Sequence, residues 1–236
     1  MPRRFQFSLR TLLILTTICA IGLGWWSHKA RQQREAVARL NKHGSIAYDF
    51  ELAYLNPAGT SSLRPPYWPA WLVNTMGVDY FANVSRVNLS NSSVTDADLS
   101  CLKAFRSLDI LDLNNAQQVT DAGLLNLREI TSLRVLQLAK TQITDEGLGH
   151  LAGLPGLKGL QLSYTNLTDA GLDRLKGFTG LEELYVGDTH VTYEGVTRLK
   201  QARPNCQINY APLKADLELV PFIPRAAPKI STQGPS

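Results

Sequence analysis

Four aspartates recur at a nearly constant interval, Asp96, Asp121, Asp145 and Asp169. Carboxylates in register could collect a divalent cation, because hard cations take about six to eight oxygen ligands. A helix N-terminus asks for the same residue at the same place, since a carboxylate suits the positive end of the helix dipole. Each aspartate follows a threonine (Thr95, Thr120, Thr144, Thr168), and Thr192 keeps that place where Tyr193 interrupts the aspartates. A Thr-Asp pair ahead of an apolar run is a capping signal. The column therefore reads as helix capping, not as a metal site.

The other groups capable of chemistry do not assemble. His28, His43, His150 and His190 are scattered. An enzyme needs a nucleophile with a base, paired carboxylates, a metal cluster or a phosphate loop, and no such set is written here. The glycines recur at a fixed interval and form no nucleotide loop. Cys19, Cys101 and Cys206 make no disulfide framework. In stacked repeats Cys101 and Cys206 stand about 19 Å apart, four strand spacings, whereas a disulfide needs alpha carbons within about 7 Å. Cys19 and Cys206 read as small buried hydrophobes, and Cys101 falls in an exposed column. The expectation is a non-enzymatic chain with no cofactor and no metal.

A third set of residues is irregular, and recognition can reside there. Three columns point outward from one sheet face. The first holds Asn88, Asp112, Gln137, Gln161, Tyr185 and Asn209. The second holds Asn91, Asn115, Lys140, Tyr164 and Asp188. The third holds Arg86, Ile110, Val135, Gly159, Glu183 and Gln207. Tyrosines among hydrogen-bonding groups make a protein-recognition patch. The candidate protein-binding residues are Asp112, Gln137, Lys140, Gln161, Tyr164, Glu183, Tyr185 and Asp188.

What must position these columns is a unit written five times between residues 84 and 210. The clearest copies, Leu133 to Gly156 and Leu157 to Gly180, start about 24 residues apart. Each copy opens with L-x-x-L-x-L, as in Leu133, Leu136 and Leu138, whose final L-x-L alternates like a strand with one buried face. A small residue follows at Ser92, Ala116, Thr141, Thr165 and Thr189, where the chain turns. An inward aliphatic comes next, at Val94, Val119, Ile143, Leu167 and Val191. T-D-x-G-L-x-x-L then builds a short helix whose leucines three apart face the strands, as Leu148 and Leu151 do. Such a unit cannot bury its own apolar face and must stack on its neighbours.

The pattern L-x-x-L-x-L-x-x-(C/N/T)-x-(V/I)-T-D-x-G-L-x-x-L resembles leucine-rich repeats, in particular the cysteine-containing-like subfamily. The resemblance covers about half the chain. It implies an α/β fold, a short curved solenoid with a parallel sheet on its concave side and short helices on its convex side. The chain departs from the pattern at Asp98, which replaces Gly, at an extra residue near Gln117 and Gln118, and at Tyr193. These mark the ends of the array and a local bulge. No F-box is present beside the repeats.

The N-terminus adds a second element. Thr11 to Trp26 carry no charge, Arg3, Arg4 and Arg10 precede them, and Trp25 and Trp26 stand where an aromatic belt belongs. Sixteen residues of helix span about 24 Å, slightly short of a hydrocarbon core of about 30 Å. The end of the run, Gly24-Trp25-Trp26-Ser27, is a poor cleavage site. Residues 1–26 are thus expected to be an N-terminal segment and an uncleaved transmembrane helix that meets the lipid bilayer through residues 11–26. This plan also resembles small membrane-anchored repeat proteins of bacteria. Lys and Arg are nearly balanced across the span, and an uncleaved anchor places the repeats on the non-cytoplasmic side.

Residues 27–83 are expected to hold a basic helical stalk (Ser27 to His43), a strand (Ser45 to Leu52), a proline-rich loop and an N-terminal cap. The cap would be built from Trp68, Trp71, Leu72, Tyr80 and Phe81. Cys206, Ile208 and Tyr210 form a sixth, closing strand, and residues 211–236 carry five prolines in an extended tail. The net charge of +4 is unevenly placed. Residues 1–50 hold eight Lys and Arg against two acids, a surplus of six, so the rest of the chain has a deficit of two. A nearly neutral array lacks the basic stripe that nucleic-acid binding requires. The expected function is a membrane-anchored module that binds an unidentified protein, or else a structural envelope spacer.

Overall fold

The architecture comes from a computed structural model in which residues 9–49 and 82–212 are described, with side chains from Thr16 onward. The elements run in this order: α1 (Leu9–Leu40), β1 (Ser45–Tyr48), β2 (Val84–Asn88), α2 (Asp96–Leu99), a 3-10 turn (Ser100–Ala104), β3 (Ile110–Asp112), α3 (Asp121–Leu124), β4 (Val135–Gln137), α4 (Asp145–His150), β5 (Gly159–Gln161), α5 (Asp169–Leu175), β6 (Glu183–Tyr185), α6 (Tyr193–Ala202) and β7 (Gln207–Asn209).

The strands form one sheet in chain order from β1 to β7. β1 pairs antiparallel with β2, and every later neighbour is parallel. Among the parallel pairs the register does not slip. Val87, Leu111, Leu136, Leu160, Leu184 and Ile208 stand side by side. The strands are so short because only the x-L-x of each opener faces a neighbour before the chain turns. Leu111, Leu136 and Leu184 are fully buried, as are Leu113, Leu138 and Leu162 two residues on. Burying each such side chain contributes roughly 1.5–3 kcal/mol. The extra residue of the second unit is absorbed in a turn closed by the Val119 amide donating to the Ala116 carbonyl at 3.0 Å. The next strand therefore keeps its register.

In four of the five units a small polar residue after the strand closes the same turn. Ser92, Thr141, Thr165 and Thr189 each donate a hydroxyl to the carbonyl three residues back, at 2.6, 2.6, 2.6 and 2.8 Å. Such a residue satisfies a backbone acceptor locally as the chain leaves the sheet.

The segment expected as a stalk does not stand clear of the repeats. α1 is one helix of 32 residues, and its C-terminal half packs on the first repeat. Ala30, Gln33, Ala36 and Leu40 are buried, spaced by three or four residues along one helical face. Gln33 donates to the Ala82 carbonyl at 2.9 Å and Lys29 to Asn83 at 3.3 Å. The reason is the open end of the stack: Val84 and Leu99 need cover, and the apolar stripe of α1 with β1 supplies it. The residues expected to form the cap, Trp68, Trp71, Leu72, Tyr80 and Phe81, lie outside the described residues, as does the tail beyond Pro212.

Among the described residues, no helix is long and apolar enough to cross a membrane. Within α1, Ile18, Ile21, Leu23 and Trp25 are exposed. The three cysteines are free. Cys206 is buried as expected, whereas Cys19 is exposed on α1 and Cys101 is half-buried under Arg39, whose guanidinium lies 3.2 Å from its sulfur.

Candidate functional site

The aspartate column is the first candidate, and its geometry gives it a structural task that corrects the capping reading. Each threonine caps its own helix: Thr120, Thr144 and Thr168 accept from the amides of Ala122, Glu146 and Ala170. The aspartate reaches forward to the next repeat instead. Asp96 accepts from the Thr120 amide at 2.9 Å and from its hydroxyl at 2.6 Å. Asp121 does the same to Thr144 at 2.9 and 2.6 Å, Asp145 to Thr168 at 2.9 and 2.5 Å, and Asp169 to Thr192 at 2.8 and 2.7 Å. Every helix N-terminus after the first thus holds a carboxylate donated by the previous repeat, which also favours the dipole.

The glycine of T-D-x-G completes the arrangement. A methyl group on Gly123, Gly147, Gly171 or Gly195 would stand 2.2–2.3 Å from the carboxylate of the preceding repeat. Glycine there makes room for an incoming aspartate. The two departures now have a cause. Among the described residues the first unit receives no aspartate from an earlier one, and Asp98, in place of glycine, bonds back to the Thr95 amide and hydroxyl at 3.0 and 2.7 Å. Those bonds hold the Asp98 carboxyl below the usual carboxylate range. The fifth unit has no T-x-x-G turn after it to serve, so Tyr193 can replace aspartate and is exposed. Among the described residues, no group of three His, Cys, Asp or Glu is placed to hold a metal ion.

The second candidate is the concave sheet with its rim. Asp112, Gln137, Gln161 and Tyr185 stand in one row across β3 to β6. Glu183 occupies the row beside them, next to Gly159. The rim column has a property that spacing alone does not disclose. Asn91, Asn115, Lys140, Tyr164 and Asp188 all adopt left-handed backbone, with φ of 55°, 58°, 58°, 60° and 54°. That conformation costs an ordinary L-residue about 1–2 kcal/mol. Asn and Asp tolerate it best, and Lys and Tyr do not share that preference. So Lys140 and Tyr164 occupy places where the backbone favours a smaller residue.

The rim side chains contact one another along the column. Asn115 donates to Asn91 at 2.9 Å. The Lys140 ammonium lies 5.1 Å from the centre of the Tyr164 ring, within cation–π range. The Asp188 carboxylate beside the Tyr164 hydroxyl, by hydrogen bonding first and by its charge second, pushes that phenol above its ordinary pKa. Tyr164 keeps 55% of its surface exposed and Tyr185 38%. The structure therefore joins Lys140, Tyr164 and Asp188 on the rim.

Gln137, Gln161, Glu183 and Tyr185 gather separately, around a hollow of about 230 Å³ over Gly159 that Asn114 and Val135 also line. Asp112 is in the row but does not border this hollow. Gly159, Val135 and Asn114 contribute although none was among the candidate binding residues. The signal for Gly159 was a lone glycine in a strand column otherwise filled by larger side chains. Asn114 carried no signal. It sits there because it braces neighbouring turns, donating to Gln137 at 3.1 Å and accepting from the Ala139 amide at 2.9 Å.

The repeats are similar to known proteins. Residues 129–152 match the family model described as Leucine Rich repeat. No curated protein matches the sequence. Among solved structures, an internalin of Listeria monocytogenes is similar at 22% identity over 53% of this chain, with a TM-score of 0.44. The match spans 34% of that internalin's own length. The leucine-rich-repeat ectodomain of the receptor kinase SOBIR1 of Arabidopsis thaliana is similar at 15% identity over 77% of this chain and 92% of its own, with a TM-score of 0.46. The matched segment spans β4 and α4, and the same leucines, turn and helix recur in register on both sides of it. One repeat matches that family model, and the parallel sheet with short helices beside it is the α/β fold of a leucine-rich-repeat-like solenoid.

Proposed function

We propose that the chain is a non-enzymatic module that binds a protein partner on its concave face and rim, around Lys140, Tyr164, Asp188, Gln137, Gln161, Glu183, Tyr185 and Asp112. Solenoids of this kind present extended curved surfaces for binding. One observation carries the reading: Lys140 and Tyr164 occupy left-handed positions that Asn or Asp would fill at lower cost, and Tyr164 remains exposed there. A side chain poorly suited to the left-handed turn that stays exposed there points to a binding role. Tyrosine and lysine together supply a rigid aromatic surface with polar reach.

The same reading includes a membrane tether through residues 11–26. Exposed Ile18, Ile21 and Leu23 on α1 support it, since exposed apolar side chains suit a lipid environment. α1 continues from this stretch into the helix that covers the first repeat.

Proximity labelling from the intact chain, compared with a Tyr164→Ala, Tyr185→Ala variant, tests the binding reading. A specific neighbour is expected, and the double variant should lose it. Identical neighbour sets for both proteins would leave a spacer as the function. Release of the chain by alkaline carbonate would sink the tether.

A further inference from the structure

The hollow over Gly159 is not required by the fold. Gly159 sits in a β-strand, and a methyl group there would meet only the Val135 methyls at 3.6–3.7 Å, an ordinary contact. Its neighbours in the same row carry side chains: Ile110, Val135, Glu183 and Gln207. A glycine in a strand that neither turns nor is crowded marks a place where another molecule approaches the backbone. At about 230 Å³ the space falls below the roughly 300–1,000 Å³ of small-molecule pockets. It suits one side chain of a larger partner.

The walls specify which side chain. Glu183 makes no ion pair among the described residues. The Tyr185 hydroxyl lies 3.5 Å from its carboxylate, too far for a strong hydrogen bond. Asp112 and Asp188 add negative charge along the face, and the nearby cation, Lys140, is taken up by Tyr164. Arg86 sits at the far end of the sheet, three strand spacings or about 14 Å away. A free carboxylate beside an exposed tyrosine ring is the pairing that a guanidinium meets with both its planar face and its donor edge. The amides of Gln137 and Gln161 give the second half of the pattern. Their oxygens accept from Asn114 and Ser163, each at 3.1 Å. Their Nε2 groups are left to donate to peptide carbonyls.

We infer that the Gly159 hollow receives an arginine side chain from an extended peptide segment of the partner. Glu183 and Tyr185 hold its guanidinium, and Gln137 and Gln161 donate to the flanking carbonyls. This rests on the concave-face reading above and adds the chemistry of the partner to it.

Selection of a phage-displayed random peptide library on the full chain in detergent micelles tests the inference, followed by affinity measurement on synthesised peptides. The selected peptides should share one arginine. Replacing it with citrulline, which keeps the shape and removes the charge, should weaken binding about tenfold. Glu183→Gln should lower the arginine peptide to the citrulline level, and Gly159→Leu should fill the hollow and remove binding. Glu183→Gln is isosteric at an exposed site and decides the matter if Gly159→Leu fails to fold. Peptides that ignore citrulline exchange and Glu183→Gln, yet lose binding to Tyr164→Ala, would overturn the arginine site and leave the concave-face reading standing. Peptides indifferent to Tyr164→Ala as well, or no enrichment at all, would overturn both.

Discussion

The convex turns and the concave rim use the same repeat in opposite ways. On the convex side, T-D-x-G recurs because each residue answers a need of the adjacent unit: threonine waits for a carboxylate, aspartate supplies one, and glycine leaves space for it. The pattern stops where the neighbour stops, at Asp98 and Tyr193. On the rim, the backbone repeats the same left-handed turn five times, but the side chains run Asn, Asn, Lys, Tyr, Asp. Regularity marks residues that serve the stack. Irregularity set on a regular backbone marks residues that the stack does not need.

Substitutions can break this contrast. The largest loss should come from Asp145→Ala. It removes two short bonds to Thr168 and leaves the amide without its acceptor, at a cost of about 2–3 kcal/mol in chemical denaturation of the full chain. A loss below about 0.5 kcal/mol would show that the ladder contributes nothing. Gly147→Ala should cost roughly 1–3 kcal/mol, because its methyl displaces the Asp121 carboxylate from Thr144. The penalty should shrink when Asp121→Ala is already present, since both changes act on one contact. Fully additive losses would refute the coupling.

A smaller effect is expected at the array's first turn. Asp98→Gly restores the pattern residue yet removes the acceptor of Thr95, so it should destabilise by about 1 kcal/mol. The folded pKa of Asp98 is depressed. The stabilisation is therefore fully present above the unfolded carboxylate value of about 3.9. It is lost as pH falls through the lower folded value. Melting wild type and variant from neutral pH down to strong acid should show the two curves converging only at the acid end. Convergence at neutral pH would exclude the bond. The smallest change in stability belongs to the rim. Tyr164→Gly relieves left-handed strain, loses the Lys140 contact and adds chain entropy, terms that cancel to within about 0.5 kcal/mol. Partner binding should disappear all the same. A loss of 2 kcal/mol or more would make Tyr164 a structural residue and end the contrast.

Much of this was legible in the residues. The leucine spacing set the strands, the threonines set the helix starts, and the alternation chose which side chains face outward. All eight residues proposed for binding do stand on the concave strands or their rim. Their division into a rim ladder and a hollow was not legible, because it depends on how side chains from different repeats meet. The role of α1 was hidden for a similar reason. Its stripe of Ala30, Ala36 and Leu40 is too weakly apolar to distinguish a solvated stalk from a cover until the open edge of the stack is seen beside it.

The sequence by itself determined the period, the parallel sheet and the outward columns, because these follow from patterns within a single unit and need only the rule that units stack. The tertiary structure alone decided where each aspartate bonds, why its glycine is required, which residues adopt left-handed backbone and that Gly159 opens a hollow. Asp121 and Thr144 lie 23 residues apart in the chain and 2.6 Å apart in space. Contacts between units obey lateral geometry, which a pattern read along the chain does not contain.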